Sequence, residues 1–126
     1  MLKSSLSLSE MAWVTQKVNE IKHHGAWNES VDEVKSERLL TNEPAFTYIL
    51  RPGKDMCHYF LSYVEADGTV QHKTVKIELS ARGWLYRNGG GNIREHINDL
   101  IPVALHCTAE QCRAYRAPRV SLFSMN

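Results

Sequence analysis

An arginine at the end of an apolar strand is the residue of this chain with the clearest chemical potential. The run Phe46–Leu50 has the aromatic and β-branched composition of a half-buried strand, and it leads directly into Arg51. The turn Pro52–Asp55 follows at once, and a glycine turn can direct several main-chain N–H groups toward one point. Because burying an unpaired guanidinium is costly, this pattern predicts an arginine that binds a phosphate or carboxylate, with Lys54 adding charge. The alternative from spacing alone is an internal ion pair between Arg51 and an Asp or Glu.

The composition limits the classes of function. A chain of 126 residues with 43% hydrophobic and 23% charged residues is expected to form one globular domain, and a net charge of +1 does not favour nucleic acid or an acidic membrane surface. The three cysteines form no CxxC pair, which argues against a disulfide framework or a zinc site and fits a reducing compartment. The start Met1–Leu6 has no long apolar run, so we expect neither a signal peptide nor a membrane span there.

The apolar periodicity predicts an α+β fold. It indicates a central antiparallel sheet of three main strands and a short fourth one, sandwiched between two helices, with an extra N-terminal helix. The Asp-Gly turn at Glu65–Thr69 predicts a hairpin. The predicted strands are Phe46–Leu50, His58–Val64, Val70–Leu79 and Gly83–Tyr86, the predicted helices follow Ser7, Ser30 and Asn92, and the basic tail carries Arg113, Arg116 and Arg119.

Local signals predict where the helices begin and end. Ser7 and Ser30 are each followed three residues later by Glu, which is the spacing of a capping box. Gly25 is the expected residue after the first helix, and Val34 is expected on the apolar face of the second. Asn92 is the expected cap of the last helix, in which Pro102 predicts a kink or an early end.

Five segments in order resemble the Src homology 2 (SH2) domain, the phosphotyrosine-binding module. Over about 80 residues they follow the family's order, and the last helix, which ends in Asp99-Leu100-Ile101-Pro102, is close to the family's SLxELV. The segments are Ser36-Glu37-Arg38-Leu39-Leu40, similar to SERLL; Tyr48-Ile49-Leu50-Arg51, similar to FLVR; Tyr59-Phe60-Leu61-Ser62-Tyr63, similar to YxLSV; Lys73-Thr74-Val75-Lys76-Ile77, similar to KHYKI; and Gly83-Trp84-Leu85-Tyr86, similar to GGFYI. The resemblance implies an SH2-like domain at residues 27–112, between an N-terminal helical extension at 1–26 and a basic tail at 113–126.

The resemblance also implies a phosphotyrosine-binding set. Arg51 takes the place of the arginine that binds the phosphate, where two parallel N–H···O bonds suit guanidinium and phosphate. The family's second phosphate-binding arginine, early in the first helix of the module, is replaced here by Val34, so Lys54 and Lys35 are expected to supply that charge. The implied set is Arg51, Lys76, Lys54, Gly53, Asp55, Thr74, Phe60 and Lys35.

The implied function is non-catalytic capture of tyrosine-phosphorylated proteins or peptides, with no cofactor, no metal and no nucleic acid. The specificity loops would be residues 81–92 and 105–116, and no single pocket is evident there, so weak flanking-sequence selectivity is expected. Trp84, Leu85 and Tyr86 are assigned either to a hydrophobic groove or to the core. A stand-alone module of this size is similar to the phosphotyrosine-binding effectors of Legionella, which implies a cytoplasmic monomer, in the host cytoplasm if it is secreted.

Two other classes of function are open from the residues. A cysteine-based enzyme would use Cys57 with His58 or His72, since a thiolate needs an adjacent base. Neighbouring strand residues point to opposite faces, which weighs against Cys57 with His58. A single-stranded RNA binder would stack bases on Tyr59, Tyr63 and Trp84, and the low net charge weighs against it.

Overall fold

The computed structural model describes residues 7–89 and 91–116, which form three helices and one six-stranded sheet. In chain order the elements are α1 (Leu8–Lys22), α2 (Glu33–Leu40), β1 (Thr47–Pro52), β2 (His58–Val64), β3 (Val70–Ser80), β4 (Gly83–Asn88), β5 (Ile93–Arg94), α3 (Ile97–Leu105) and β6 (Arg113–Ala114). The strand order is β5-β4-β3-β2-β1-β6, and only β1 and β6 are parallel. The predicted α+β class and the N-terminal helix are confirmed, and the short strands β5 and β6 are additions to the prediction.

The strand register places Arg51 on the face of the sheet that α2 covers. Arg51 lies opposite Phe60, and Phe60 lies opposite Thr74. Residues opposite each other in antiparallel strands point to the same side, so these three side chains share one face. Ser62 and His72 are also paired, and each lies two residues from a member of that row, which puts them on the same face.

The other face of the sheet carries the larger hydrophobic core, beneath α1 and α3. Its members come from every main strand and from both of these helices, so this core joins the main strands to α1 and α3. The buried cluster contains Ile21, Ala26, Tyr48, Leu50, Tyr59, Leu61, Tyr63, Val75, Ile77, Tyr86, Ile97, Leu100, Ile101, Ala104 and Leu105.

Helix α1 packs onto the domain. Val14 and Ile21 have no exposed surface, and full burial of such side chains contributes about 1.5–3 kcal/mol each. The Tyr86 hydroxyl donates to the Lys17 carbonyl at 2.7 Å, and the buried Lys17 ammonium donates to the Glu95 carbonyl. The part of the N-terminal extension that the structure describes is therefore continuous with the folded domain.

Helix α2 begins two residues later than predicted and buries a different face. Its N-cap is Asp32, whose carboxylate accepts the N–H three residues on at 2.8 Å, and Ser30 lies outside the helix. Ser36 and Leu40 are fully buried, while Val34 is 65% exposed. The apolar-face prediction was wrong at Val34, because Leu40 packs into a core with Ile49 of β1 and Val64 of β2 and this contact decides which face of α2 meets the sheet.

Other helix boundaries also differ from the prediction. Asn92 does not cap a helix, because the residues after it pair with β4 as β5, and α3 begins only at Ile97. Helix α1 ends at Lys22, so Gly25 lies beyond the residue that follows the helix cap. Pro102 lies inside α3 without ending it. The Ser7 capping box is confirmed, with both of its reciprocal hydrogen bonds present.

The predicted basic tail is partly a strand. Arg113 pairs with Thr47 in the parallel β1–β6 ladder, and Arg116 is exposed. Arg119 lies outside the described residues. Among the residues that the structure describes, no helix has both the length and the apolar character needed to cross a membrane.

Candidate anion-binding site

Arg51 is buried at the end of β1 and is held by uncharged groups. Only 4% of its surface is exposed. Its Nε donates to Ser62 Oγ at 2.9 Å, and its Nη2 lies 3.3 Å from His72 Nδ1. The guanidinium carbon stands 4.5 Å from the centroid of the Phe60 ring, within the range of a cation–π contact. These contacts fix the direction of the guanidinium without neutralising it.

The outer end of the Arg51 guanidinium is free. Within residues 7–89 and 91–116, no carboxylate oxygen lies within 4.0 Å of it, and Nη1 has no acceptor. In the same part of the chain, Thr47 Oγ1 is the only fully buried side-chain polar atom without a partner. Nη1 therefore reaches solvent. The direct internal ion pair, which was the alternative for Arg51, is not formed.

A chain of hydrogen bonds connects Arg51 to α2 through Ser62 and His72. Ser62 Oγ lies 2.7 Å from His72 Nδ1, and His72 Nε2 lies 2.8 Å from Glu37 Oε2. A guanidinium can only donate, so His72 Nδ1 must accept. The proton of the neutral imidazole is then on Nε2 and is donated to Glu37. Ser62 accepts from Arg51 and donates to His72, so the single lone pair of His72 Nδ1 is shared between the Ser62 hydroxyl at 2.7 Å and the Arg51 Nη2 group at 3.3 Å.

Acidic residues of α2 stand close to the guanidinium. Burial lowers the pKa of Arg51 from its ordinary value, and the nearby carboxylates of Glu33, Asp32 and Glu37 act in the opposite direction. Glu33 and Glu37 are one helical turn apart and both approach His72. The residues that α2 directs toward the site are therefore these acids, and not Val34. They balance the buried charge at a distance, and they also oppose any bound anion.

The β1–β2 turn presents main-chain N–H groups beside β1. Gly53 donates its N–H to the His58 carbonyl at 2.9 Å, so that N–H is not available to a ligand. The N–H groups of Lys54, Asp55 and Met56 have no acceptor among the described residues. A Cβ at Gly53 would lie 2.4 Å from the His58 carbonyl oxygen, so only glycine allows this close approach. The turn thus has three consecutive free donors.

Asp55 organises the turn from within. Its Oδ1 accepts from the Cys57 N–H at 3.0 Å and lies 2.6 Å from His58 Nδ1. The hydrogen bond from His58, followed by that from the Cys57 N–H, lowers the pKa of Asp55. Asp55 therefore positions the turn, and its carboxylate is directed into the turn.

Two other predicted cations, Lys76 and Lys35, are placed differently relative to Arg51. Lys76 is on the same face of the sheet as Arg51, two residues beyond Thr74 on β3. Half of its side chain is exposed, and its Nζ lies 3.9 Å from Glu78 Oε1. Lys35 is two residues from both Glu33 and Glu37, which on a helix is about 200° around the axis. Lys35 is therefore on the opposite side of α2 from the residues that approach His72. The structure brings Lys76 toward the site and leaves Lys35 away from it.

Sequence reasoning missed four residues of the site. Ser62, His72, Glu33 and Glu37 were not assigned to it, yet they surround the arginine. The signals were present: Ser62 follows Phe60 at strand period two, and His72 precedes Thr74 in the same way. The two glutamates follow the helical period of four.

One cluster has the residue types of a metal site. Glu33, Glu37 and His72 place three ligand atoms within 4.8 Å of one another. His72 Nε2 carries a proton that a metal would displace, and the metal would then stand beside the Arg51 guanidinium. A metal ion at His72 Nε2 and the guanidinium at Nδ1 would be two positive charges separated by one imidazole ring. They would repel each other, so these three residues do not favour a metal.

The residues of the two alternative functions are differently placed. Tyr59 and Tyr63 are 2% and 1% exposed, and burial is the main reason that their pKa values rise to about 12. They have no ring face to offer to a base. Burial also raises the pKa of Cys57, which disfavours the thiolate that nucleophilic catalysis needs, and His72 is engaged by Ser62 and Glu37.

A separate groove of about 840 Å³ lies between α1 and the β3–β4 turn. Trp13, Leu79 and Trp84 form its apolar lining. Of the predicted groove residues, Trp84 is therefore at the surface, whereas Leu85 and Tyr86 are in the interior. None of the residues around Arg51 lines this groove.

The fold resembles solved SH2 domains. The SH2 domain of a Monosiga brevicollis CRK/CRKL homolog has a TM-score of 0.55 at 18% identity, over 73% of this chain and 84% of that one. The SH2 domain of human proto-oncogene protein VAV1 has a TM-score of 0.55 at 17% identity, over 97% and 93%. The VAV1 SH2 domain complexed with a tyrosine-phosphorylated peptide from SLP76 has a TM-score of 0.54 at 16% identity, over 80% and 78%. No protein-family model and no curated protein matches the sequence. The chain has the fold of an SH2 domain.

Proposed function

We propose that this protein is a non-catalytic module that binds phosphotyrosine peptides at Arg51. The observation that carries the proposal is a buried guanidinium without a carboxylate partner among the described residues, whose free end reaches solvent. A phosphate monoester is a dianion with several acceptor oxygens, and a guanidinium binds such a group with two parallel N–H bonds. Similarity to the fold of a VAV1 SH2 domain solved with a tyrosine-phosphorylated peptide supports the same ligand class.

The site would hold the phosphate between the strand end and the β1–β2 turn. Nη1 and the remaining Nη2 hydrogen of Arg51 bind two oxygens, and the N–H groups of Lys54, Asp55 and Met56 bind from the turn. Lys76 adds charge from the neighbouring row of the sheet, and Phe60 and Thr74 flank the arginine. Lys35 has the weakest support in the predicted set, because α2 turns it away from the acids that approach His72.

The partners proposed are tyrosine-phosphorylated proteins, bound by one copy of the chain with weak selectivity for flanking sequence. We place this activity in a reducing cytoplasm, and in the host cytoplasm if the chain is a secreted bacterial effector. The ligand class is the property to measure first.

The test is a titration of one peptide in two forms, with tyrosine and with phosphotyrosine, followed by calorimetry. Removing a buried charge that holds a charged partner costs about 2–5 kcal/mol, so Arg51→Ala is expected to weaken binding by roughly two orders of magnitude or more. Arg51→Lys keeps the charge and removes the planar fork, and it should also bind weakly. Circular dichroism checks that each variant is folded.

Binding of only the phosphorylated peptide, lost in both folded variants, supports the proposal. Equal binding of the two peptides would overturn it, and so would a folded Arg51→Ala variant with unchanged affinity. Arg94→Ala is the matched control, because it removes an exposed arginine on β5, at the opposite edge of the sheet, and leaves the net charge equal to that of the Arg51→Ala variant.

A further inference from the structure

Two of the three cysteines lie side by side in the connection between α3 and β6. The Sγ atoms of Cys107 and Cys112 are 2.8 Å apart, whereas Cys57 lies in the β1–β2 turn. A disulfide bond is about 2.05 Å long, so the two sulfurs need to approach by less than about 1 Å to form one. We propose that Cys107 and Cys112 are the site of a reversible disulfide within the chain.

The main chain holds both cysteines in place. Cys107 follows the end of α3, and its N–H donates to the Pro102 carbonyl at 3.0 Å. The four residues between the cysteines form a turn in which the Gln111 N–H donates to the Thr108 carbonyl at 3.0 Å, and the Thr108 N–H donates to the Gln111 side chain at 2.8 Å. Cys112 leads directly into β6. The approach of the sulfurs therefore follows from backbone geometry at both ends.

The surroundings of the pair assign a role to each thiol. Both side chains are half-buried and pack against the main core. Burial, and then the hydrogen bond with Cys107, raise the pKa of Cys112 to about 12. Cys112 therefore remains a thiol near neutral pH, where the thiolate is the reactive form. Cys112 also donates its S–H to the Thr108 carbonyl at 3.4 Å, which holds its proton. We therefore assign the first attack to Cys107 and the closing step to Cys112.

The oxidant is a low-molecular-weight disulfide such as oxidised glutathione. Cys107 loses its proton to solvent, and its thiolate attacks one sulfur of glutathione disulfide, which forms a mixed disulfide and releases one glutathione thiolate. Cys112 then loses its proton to solvent, its sulfur attacks Cys107 Sγ, and the second glutathione leaves as a thiolate. Both released thiolates take up protons. Overall, two protein thiols are oxidised to one disulfide, and one glutathione disulfide is reduced to two thiols.

The bond would join the end of α3 to the start of β6. Because β6 pairs with β1, the link would close a short loop between two parts of the core. A cross-link of this kind stabilises a protein mainly by restricting the unfolded chain. The proposal does not depend on phosphotyrosine binding, and its test uses no peptide.

The test incubates the native full-length chain in buffers with increasing ratios of oxidised to reduced glutathione. Remaining thiols are then alkylated, and the sites are mapped by mass spectrometry. We expect the free thiols to fall from three to one, with Cys57 remaining free and with the linked peptide containing Cys107 and Cys112. The linked form should unfold at a higher temperature than the reduced form.

Two serine variants sharpen the result. Cys112→Ser removes the resolving sulfur, so it should accumulate glutathione on Cys107 without an internal bond. Cys57→Ser is the matched control and should form the internal bond as the natural sequence does. The proposal is overturned if all three thiols persist in excess oxidised glutathione, if the cysteines only take up glutathione, or if Cys57 is a partner in the bond.

Discussion

Replacing Glu37 by Gln is expected to strengthen the binding of a phosphotyrosine peptide. Glu37 accepts a hydrogen bond from His72 at 2.8 Å, and His72 stands between Glu37 and Arg51. A glutamine has nearly the same shape, and its amide oxygen can accept the same hydrogen bond. The substitution therefore removes a negative charge near the proposed phosphate site and keeps the contact that orients His72.

The size of the gain follows from Coulomb's law. The path from Glu37 to His72 Nε2 (2.8 Å), across the imidazole (about 2 Å) and on to Arg51 Nη2 (3.3 Å) spans about 8 Å, and a phosphate bound to the guanidinium lies about 3 Å further on. At about 11 Å two unit charges interact by roughly 0.4 kcal/mol in water and about 1.5 kcal/mol at an effective dielectric constant of about 20. The Glu37 side chain is 50% exposed, which favours the lower value, and the dianionic phosphate doubles it. We expect about 0.8 kcal/mol, which is about fourfold in Kd.

The assay is fluorescence anisotropy of a labelled phosphotyrosine peptide at low and high ionic strength. Glu95→Gln is the control, because it changes the net charge equally at a side chain that is 70% exposed and lies outside the two predicted specificity loops. The gain in the Glu37 variant should exceed that of the control and should shrink as salt increases. An affinity no better than that of the control would refute the argument that α2 acids oppose the phosphate. A weaker affinity would mean that holding His72 matters more than the charge.

Three further predictions concern the turn and the neighbouring cation. Lys76→Ala should weaken phosphopeptide binding less than tenfold, measured by the same titration, because a half-exposed ammonium contributes about 1 kcal/mol or less. Gly53→Ala should lower the free energy of unfolding by about 1–3 kcal/mol in a urea titration, because its Cβ would clash with the His58 carbonyl, whereas Gly25→Ala has room and should be nearly neutral. Because the pKa of Asp55 is lowered in the folded protein, its carboxylate stabilises the fold above the ordinary carboxyl pKa, and this stabilisation is lost as the pH falls through the folded pKa. Asp55→Asn should therefore lose less melting temperature than the natural sequence below about pH 4. An equal loss of melting temperature in both proteins would contradict this.

The main strands could be predicted because their signals are local. The run from Phe46 to Leu50 and the alternation from Val70 to Leu79 lie within β1 and β3 or beside their ends, and the Asp67-Gly68 turn closes the β2–β3 hairpin as expected. The capping box at Ser7 could also be predicted, because both of its hydrogen bonds are made within the first turn of α1.

The helix boundaries were predicted less well, because competing local signals are resolved by distant contacts. Asn92 and Asp32 both have the residue type of a cap. Ile93 instead pairs with Arg87 of β4, so the chain after Asn92 is drawn into the sheet before α3 begins. At α2, Leu40 is drawn into a core shared with β1 and β2, which fixes the helix face.

The strand that carries Arg51, the turn after it and the resemblance to SH2 domains follow from short segments of sequence. The groups that surround the arginine come from distant segments, and their positions depend on how the chain folds. Ser62 and His72 reach it through strand register, and Glu37 reaches His72 from a helix 35 positions earlier in the chain. The same holds for Cys107 and Cys112. Their spacing matches no motif, and their sulfurs are close because of the turn between them. Composition and periodicity record which residues are buried, whereas the partners of a buried charge depend on which distant segments the core brings into contact.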